Sequence, residues 1–200
     1  MKIFQFIPCF PENLAEKEKK SHFHLLELLI FFKKTMKIMG IDPGYALVGI
    51  GVIEYAGNRY TPVKYGKIET FAKEEMSNRL ETIFREMQLW LSDIKPDVVS
   101  IEQLFFNTNT TTAIAVAQAR GVILLACQLQ GVPVYEYTPL QVKQAVVGYG
   151  KAEKMQVQKM VKTLLNLEKV PKPDDVADAL AVAICHTNYS GYHSYLDKLR

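Results

Sequence analysis

The spacing of hydrophobic and polar positions changes several times along this 200-residue chain, and each change marks an element. Lys37–Ile41 is a short apolar run that stops at Asp42-Pro43-Gly44, a strong turn signal. Ala46–Tyr55 reads as a second strand, and the turn at Ala56-Gly57-Asn58 leads into a third, Arg59–Thr70. From about Glu75 to Asp93 the period becomes helical: Met76, Leu80, Ile83, Phe84, Met87, Trp90, Leu91 and Ile94 fall on one face, and Lys95-Pro96 ends it. Asp97–Glu102 predicts a buried strand, Thr110–Gln130 a long helix closed by Gly131, and Pro133–Tyr137 a fifth strand. Helices are predicted over Pro139–Val147 and Glu153–Leu167, around a break at Gly148-Tyr149-Gly150, and over Asp174–His186. Three meandering strands followed by alternating helices and strands indicate one α/β domain on a mixed five-stranded sheet flanked by helices. The later strands join through helices, so they should run parallel to one another and to the first.

Residues 1–35 stand apart from this pattern. Leu25–Phe32 is apolar but carries Glu27 and is far too short for a bilayer; the charged run Glu16–Lys20 precedes it, and no small-residue cleavage site follows. We read 1–35 as an appendage outside the working protein, with Met36 as a second start; a packed amphipathic helix is the alternative. The domain is then 36–190, with a C-terminal tail at 191–200.

The arrangement of acids points to chemistry. Asp42 ends the first strand and Glu102 the fourth, so parallel pairing of those strands would put both carboxylates at one sheet edge, where open α/β sheets place their sites. Asp175 and Asp178 are three apart and share a helix face, ahead of the apolar run Ala179–Cys185. Alone, Asp42 also suits a turn, and Asp174 and Asp175 suit a helix N-terminus. Asp178 and Glu102 have no such ordinary use, because each lies among apolar neighbours in a regular element. Converging, the four acids repel one another unless cations neutralise them, and hard oxygen donors favour Mg²⁺ or Mn²⁺, two ions in such a site.

Charge and cysteines alter this picture little. The net charge is +3, and residues 1–35 hold six Lys and four Glu, leaving 18 basic against 17 acidic residues in the body. Four acids gathered in one site would leave the rest of the body with five excess positive charges, which suits a phosphate-bearing partner. Cys9, Cys127 and Cys185 have no metal-ligand spacing and imply no disulfide framework, which fits a reducing cytoplasm.

At the acidic residues and around them, the sequence resembles the RuvC family of Holliday-junction resolvases, within the ribonuclease H-like superfamily. The resemblance rests on Gly40–Gly44, Ile101–Phe105, Ala117–Gly121, Gln141–Gly148 and Asp174–Ala181, in the family's order and within Met36–His186. It implies a ribonuclease H-like fold and a homodimeric, metal-dependent endonuclease that cuts four-way DNA junctions at symmetrically placed phosphodiesters in recombination and repair. It implies that Asp42, Glu102, Asp175 and Asp178 are the catalytic, metal-holding acids. It implies that Phe105 stacks on a junction base, with Phe106 as the other candidate ring, and that Lys143 and Lys154 contact DNA or assist catalysis. The branch-migration proteins RuvA and RuvB become candidate partners; no membrane role is implied. The small and apolar residues of Thr110–Gln130 suggest where two copies meet.

Three rivals fit less well. An actin-like or sugar-kinase ATPase needs a duplicated domain and a second glycine-rich phosphate loop, and this chain has neither. Intact acids at all four positions argue against a junction-binding protein without activity. A ribonuclease H-like nuclease for another substrate is separated only by the family-specific strings, because fold does not decide substrate.

Overall fold

The computed structural model describes residues 35–104 and 110–197, with side chains over 35–104 and 112–189. Residues 1–34, Phe105 and Phe106 lie outside the described residues. Among the described residues ten elements follow one another: β1 (Met36–Asp42), β2 (Leu47–Ala56), β3 (Arg59–Glu69), α1 (Met76–Ile94), β4 (Val98–Glu102), α2 (Thr110–Leu129), β5 (Val134–Tyr137), α3 (Pro139–Val147), α4 (Lys154–Leu164) and α5 (Asp174–Asp197). The predicted elements all form, with ends moved by a few residues. The exception is α5, which runs on to Asp197 instead of ending at His186; the more polar sequence after His186 concealed its continuation.

The sheet order is β3-β2-β1-β4-β5. The pairs β1–β2 and β2–β3 are antiparallel, and β1–β4 and β4–β5 are parallel, as the connections require. Gly57 and Asn58 both take positive φ, 52° and 63°, which gives the β2–β3 hairpin the twist its strands need. β3 forms one edge of the sheet. It contains Pro62, its register with β2 shifts between Val52 and Ile53, and Lys64 lies 2.8 Å from Asp93 and over the Trp90 ring. The other edge, β5, has only four residues.

Alternation along the strands divides the core in two. Met39, Ile41, Ile50, Val52, Val99 and Ile101 point to one face, where they meet Ile83, Met87 and Leu91 of α1 and Ala119, Ile123 and Cys127 of α2. Ile38, Ile53 and Val98 point to the other, against Leu180–Cys185 of α5 and the apolar faces of α3 and α4. Every residue from Val176 to Thr187 except Asp178 is buried, so this stretch of α5 is enclosed nearly all round.

α5 lies closer to the sheet than ordinary side chains would permit, because glycines line its path. A Cβ on Gly40 would stand 2.0 Å from the Ala179 carbonyl oxygen; one on Gly49 would stand 2.1 Å from that of Asp175; one on Gly51 would strike Leu180. These close contacts set the height and position of the helix over β1 and β2.

α2 has an unusual surface. Thr112–Leu129 is long and apolar enough to cross a membrane by length and composition, yet Ala119, Ile123, Ala126 and Cys127 are fully buried in the core. Its other face leaves Ile114, Leu125 and Leu129 between 52% and 73% exposed.

Candidate active site

Strand register brings the first two acids together. Ile38 pairs with Val98 and Ile41 with Ile101, so Asp42 and Glu102 each lie one residue beyond the last pair, at the carboxyl ends of adjacent parallel strands. Asp42 shares the parity of Ile38 and Gly40, and Glu102 that of Val98, so both side chains leave the sheet on the face that α5 covers. Asp42 is the strand partner of Gly49, the glycine whose Cα lies beneath the Asp175 carbonyl. The first turns of α5 therefore deliver Asp175, and one turn on Asp178, to the same edge.

The electrostatics follow from this arrangement. Burial, followed by the charges of Glu102, Asp178 and Asp175, pushes the Asp42 carboxyl up to about 8. Burial and then Asp178 push Glu102 up to about 7, against the opposing pull of Lys154 and Lys143. Burial raises Asp178 as well, although Lys154 opposes it through a 2.9 Å contact. Burial disfavours the Lys154 ammonium, but its hydrogen bond to Asp178 and the charges of Asp178, Asp174 and Asp175 outweigh that and raise its pKa. Asp174 stands at the rim of this cluster, 2.5 Å from Lys172 and 3.7 Å from Lys154.

All four sequence-derived acids thus reach one region, and Lys143 and Lys154 reach it with them. Phe105 lies outside the described residues. Among the described residues, no three His, Cys, Asp or Glu side chains stand together at the spacing of ligands to one ion. The acids share an edge without being drawn onto a single point. Their donor chemistry still suits a hard divalent cation: every donor is a carboxylate oxygen, and burial together with neighbouring acids pushes Asp42 and Glu102 well above the usual carboxylate range, a cost that a bound cation would relieve. Sequence reasoning missed the three glycines that set the helix on the sheet. Their signal was present, since β1 and β2 place Gly40 and Gly51 opposite each other in otherwise apolar strands.

The strand order, and carboxylates at the carboxyl ends of its parallel strands beneath the last helix, define a protein of the ribonuclease H-like class. Residues 38–186 match the family model of the crossover junction endodeoxyribonuclease RuvC. The chain is 56% identical over 165 residues to RuvC of Alkaliphilus metalliredigens, covering 82% of this chain and all of that one. It is 58% identical over 159 residues to RuvC of Brevibacillus brevis, covering 80% and 96% of the two chains. The structure of Thermus thermophilus RuvC in complex with Holliday junction substrate superposes with a TM-score of 0.74 at 36% identity, over 78% of this chain and 94% of that one. The chain belongs to the RuvC family.

Proposed function

We propose that this protein is a crossover junction endodeoxyribonuclease that resolves four-way DNA junctions by metal-dependent hydrolysis of symmetrically placed phosphodiesters, in recombination and repair. The convergence of Asp42, Glu102, Asp175 and Asp178 at one sheet edge carries this reading, together with membership of a family whose Thermus relative is known in complex with Holliday junction substrate. Those four acids would hold Mg²⁺, with Mn²⁺ as substitute, two ions per site. When bound there, such ions would supply activation of the attacking water and stabilisation of the leaving oxygen. The protein's own part is to fix the carboxylates on rigid elements and to bring positive charge to the scissile phosphate. Lys154 and Lys143 supply that charge, since both act on the same acidic edge. Phe105, three residues beyond Glu102, is the proposed stacking ring. Residues 1–35 are placed outside the working nuclease domain, whose last helix runs on to Asp197, past the boundary expected at 190, and the cytoplasm is its proposed compartment.

Chelation tests the metal. Excess EDTA should abolish cleavage of a four-way junction while leaving junction binding largely intact, because binding rests on phosphate contacts and shape. Mg²⁺ or Mn²⁺ should restore cutting. Undiminished cleavage in EDTA would rule out the metal-dependent reading, and equal cutting of linear duplex would rule out the junction.

A homodimer is the assembly that fits a two-fold substrate. The outer face of α2 supports it, because Ile114, Leu125 and Leu129 form an apolar surface on a helix whose opposite face already packs in the core. Ile114→Glu combined with Leu125→Glu should convert a dimer to a monomer in sedimentation and uncouple the paired incisions. A wild-type monomer at micromolar concentration that cuts both strands would exclude this assembly. RuvA and RuvB remain proposed partners on family grounds alone.

A further inference from the structure

Arg79 is an unusual residue to find in the core. It lies on the inward stripe of α1, four residues before Ile83, and is 7% exposed. Among the described residues no carboxylate comes within ion-pair distance of its guanidinium. Burying a cation without a carboxylate is unfavourable, so the contacts it does make carry the explanation.

Those contacts converge on the turn that follows Asp42. The Arg79 Nη2 group donates to the Tyr45 carbonyl at 3.2 Å, and Nε donates to Thr70 Oγ1 at 2.9 Å. The Thr70 hydroxyl donates to the same Tyr45 carbonyl at 2.7 Å, and the Thr70 backbone N–H donates to the Ala46 carbonyl at 3.0 Å. The guanidinium also lies over the Tyr45 ring, 4.5 Å from its centroid. The turn itself has no slack, since a Cβ on Gly44 would stand 2.2 Å from the Leu47 carbonyl oxygen. The carbonyl held by Arg79 and Thr70 belongs to the third residue after Asp42.

We propose that Arg79 is a positioning residue for junction cleavage: with Thr70 it clamps the Tyr45 carbonyl and so fixes the Asp42 turn against α1. The proposal rests on the reading of Asp42 as a catalytic acid. Arginine is the residue type required, because one planar group donates in two directions while stacking on a ring, which an ammonium cannot do. Misplacing a catalytic group by about 1 Å can cost roughly 100-fold in rate.

The test compares Arg79→Lys, Thr70→Val and Asp42→Asn with the wild type, in the full chain. Melting temperature, junction affinity in EDTA, single-turnover cleavage and the Mn²⁺ concentration for half-maximal rate are measured well below each variant's melting point. Arg79→Lys should keep junction affinity within about 2-fold, slow single-turnover cleavage by about 10- to 100-fold and raise the half-maximal Mn²⁺ concentration. Thr70→Val, which retains the guanidinium, should move the same observables in the same directions, and it decides the matter should Arg79→Lys fail to fold. A lowered melting temperature with unchanged rate and unchanged Mn²⁺ dependence would make Arg79 a purely structural residue and overturn the proposal. Asp42→Asn separates the two levels. Retained cleavage in that variant would remove the underlying reading of the site, whereas an inactive Asp42→Asn beside a fully active Arg79→Lys would remove the clamp alone.

Discussion

Asp42→Asn should abolish junction cleavage and, in the same protein, raise the melting temperature of the metal-free form at alkaline pH. The first effect follows from losing an oxygen donor and a charge at the centre of the acidic edge, where a single electrostatic contribution of this kind is worth about 100-fold or more. The second follows from proton linkage. The Asp42 and Glu102 carboxyls sit at about 8 and about 7 in the fold, well above unfolded values near 4. Groups raised in this way favour the folded state fully below the unfolded pKa, and that contribution is lost as pH rises through the folded values. The metal-free protein should therefore lose stability between roughly pH 4 and pH 8, with each kcal/mol appearing as about 2–4 °C in a domain of this size. Asparagine cannot ionise, so the variant's melting curve should be flatter with pH and should respond less to Mg²⁺. Thermal melts in EDTA at pH 6 and pH 8.5, with and without Mg²⁺, and cleavage assays alongside, check both halves. A destabilised variant that still cuts would refute the assignment. Asp178→Asn is a less clean probe, because it also removes the 2.9 Å contact with Lys154.

Gly49→Ala should be nearly as damaging to activity, although glycine carries no chemistry. The added methyl would sit 2.1 Å from the Asp175 carbonyl oxygen, backbone against backbone, with no side chain that can rotate away. Either α5 lifts or β2 sinks. Overpacking of this kind costs about 1–3 kcal/mol and sometimes more. A shift at the first turn of α5 moves Asp175 relative to Asp42, so cleavage should fall by about 100-fold even where the protein still folds. Circular dichroism, a melting curve and single-turnover cleavage suffice to check it. Wild-type cleavage in a folded Gly49→Ala protein would mean that the helix tolerates displacement and that the glycine contact does not position the acids.

Much of the site was legible in sequence because its acids occupy positions where local rules discourage them. Glu102 ends the buried strand Val98–Ile101, and Asp178 interrupts the otherwise buried stretch Val176–Thr187. Strand order also followed from connection rules, since hairpins give antiparallel neighbours and helical crossovers give parallel ones. What sequence could not supply was anything that depends on the element packed opposite. Gly40, Gly49 and Gly51 look like weak points in strands until α5 lies across them. Lys143 and Lys154 look like ordinary surface lysines until α3 and α4 fold back toward Glu102 and Asp178. Arg79 lies beside Leu80 on an amphipathic helix and reads as the polar flank, but the inward stripe passes through it to Ile83, Met87 and Leu91. The length of α5 was underestimated because the apolar run that marks it ends at Cys185, while the backbone stays helical to Asp197.

The two margins of the sheet bear on how copies of this chain can meet. An unpaired strand edge is a template on which another strand can extend the ladder, a route to unwanted association. β3 is closed to that route: Pro62 lacks an N–H, the shifted register near Val52 and Ile53 distorts the ladder, and Lys64 and Lys67 line the strand, paired with Asp93 and Glu69. β5 gives only four residues of ladder to bind. With both margins blunted, extension of the ladder by a second copy is disfavoured at either end of the sheet, and helical faces such as the outer side of α2 are the surfaces left for contact between copies.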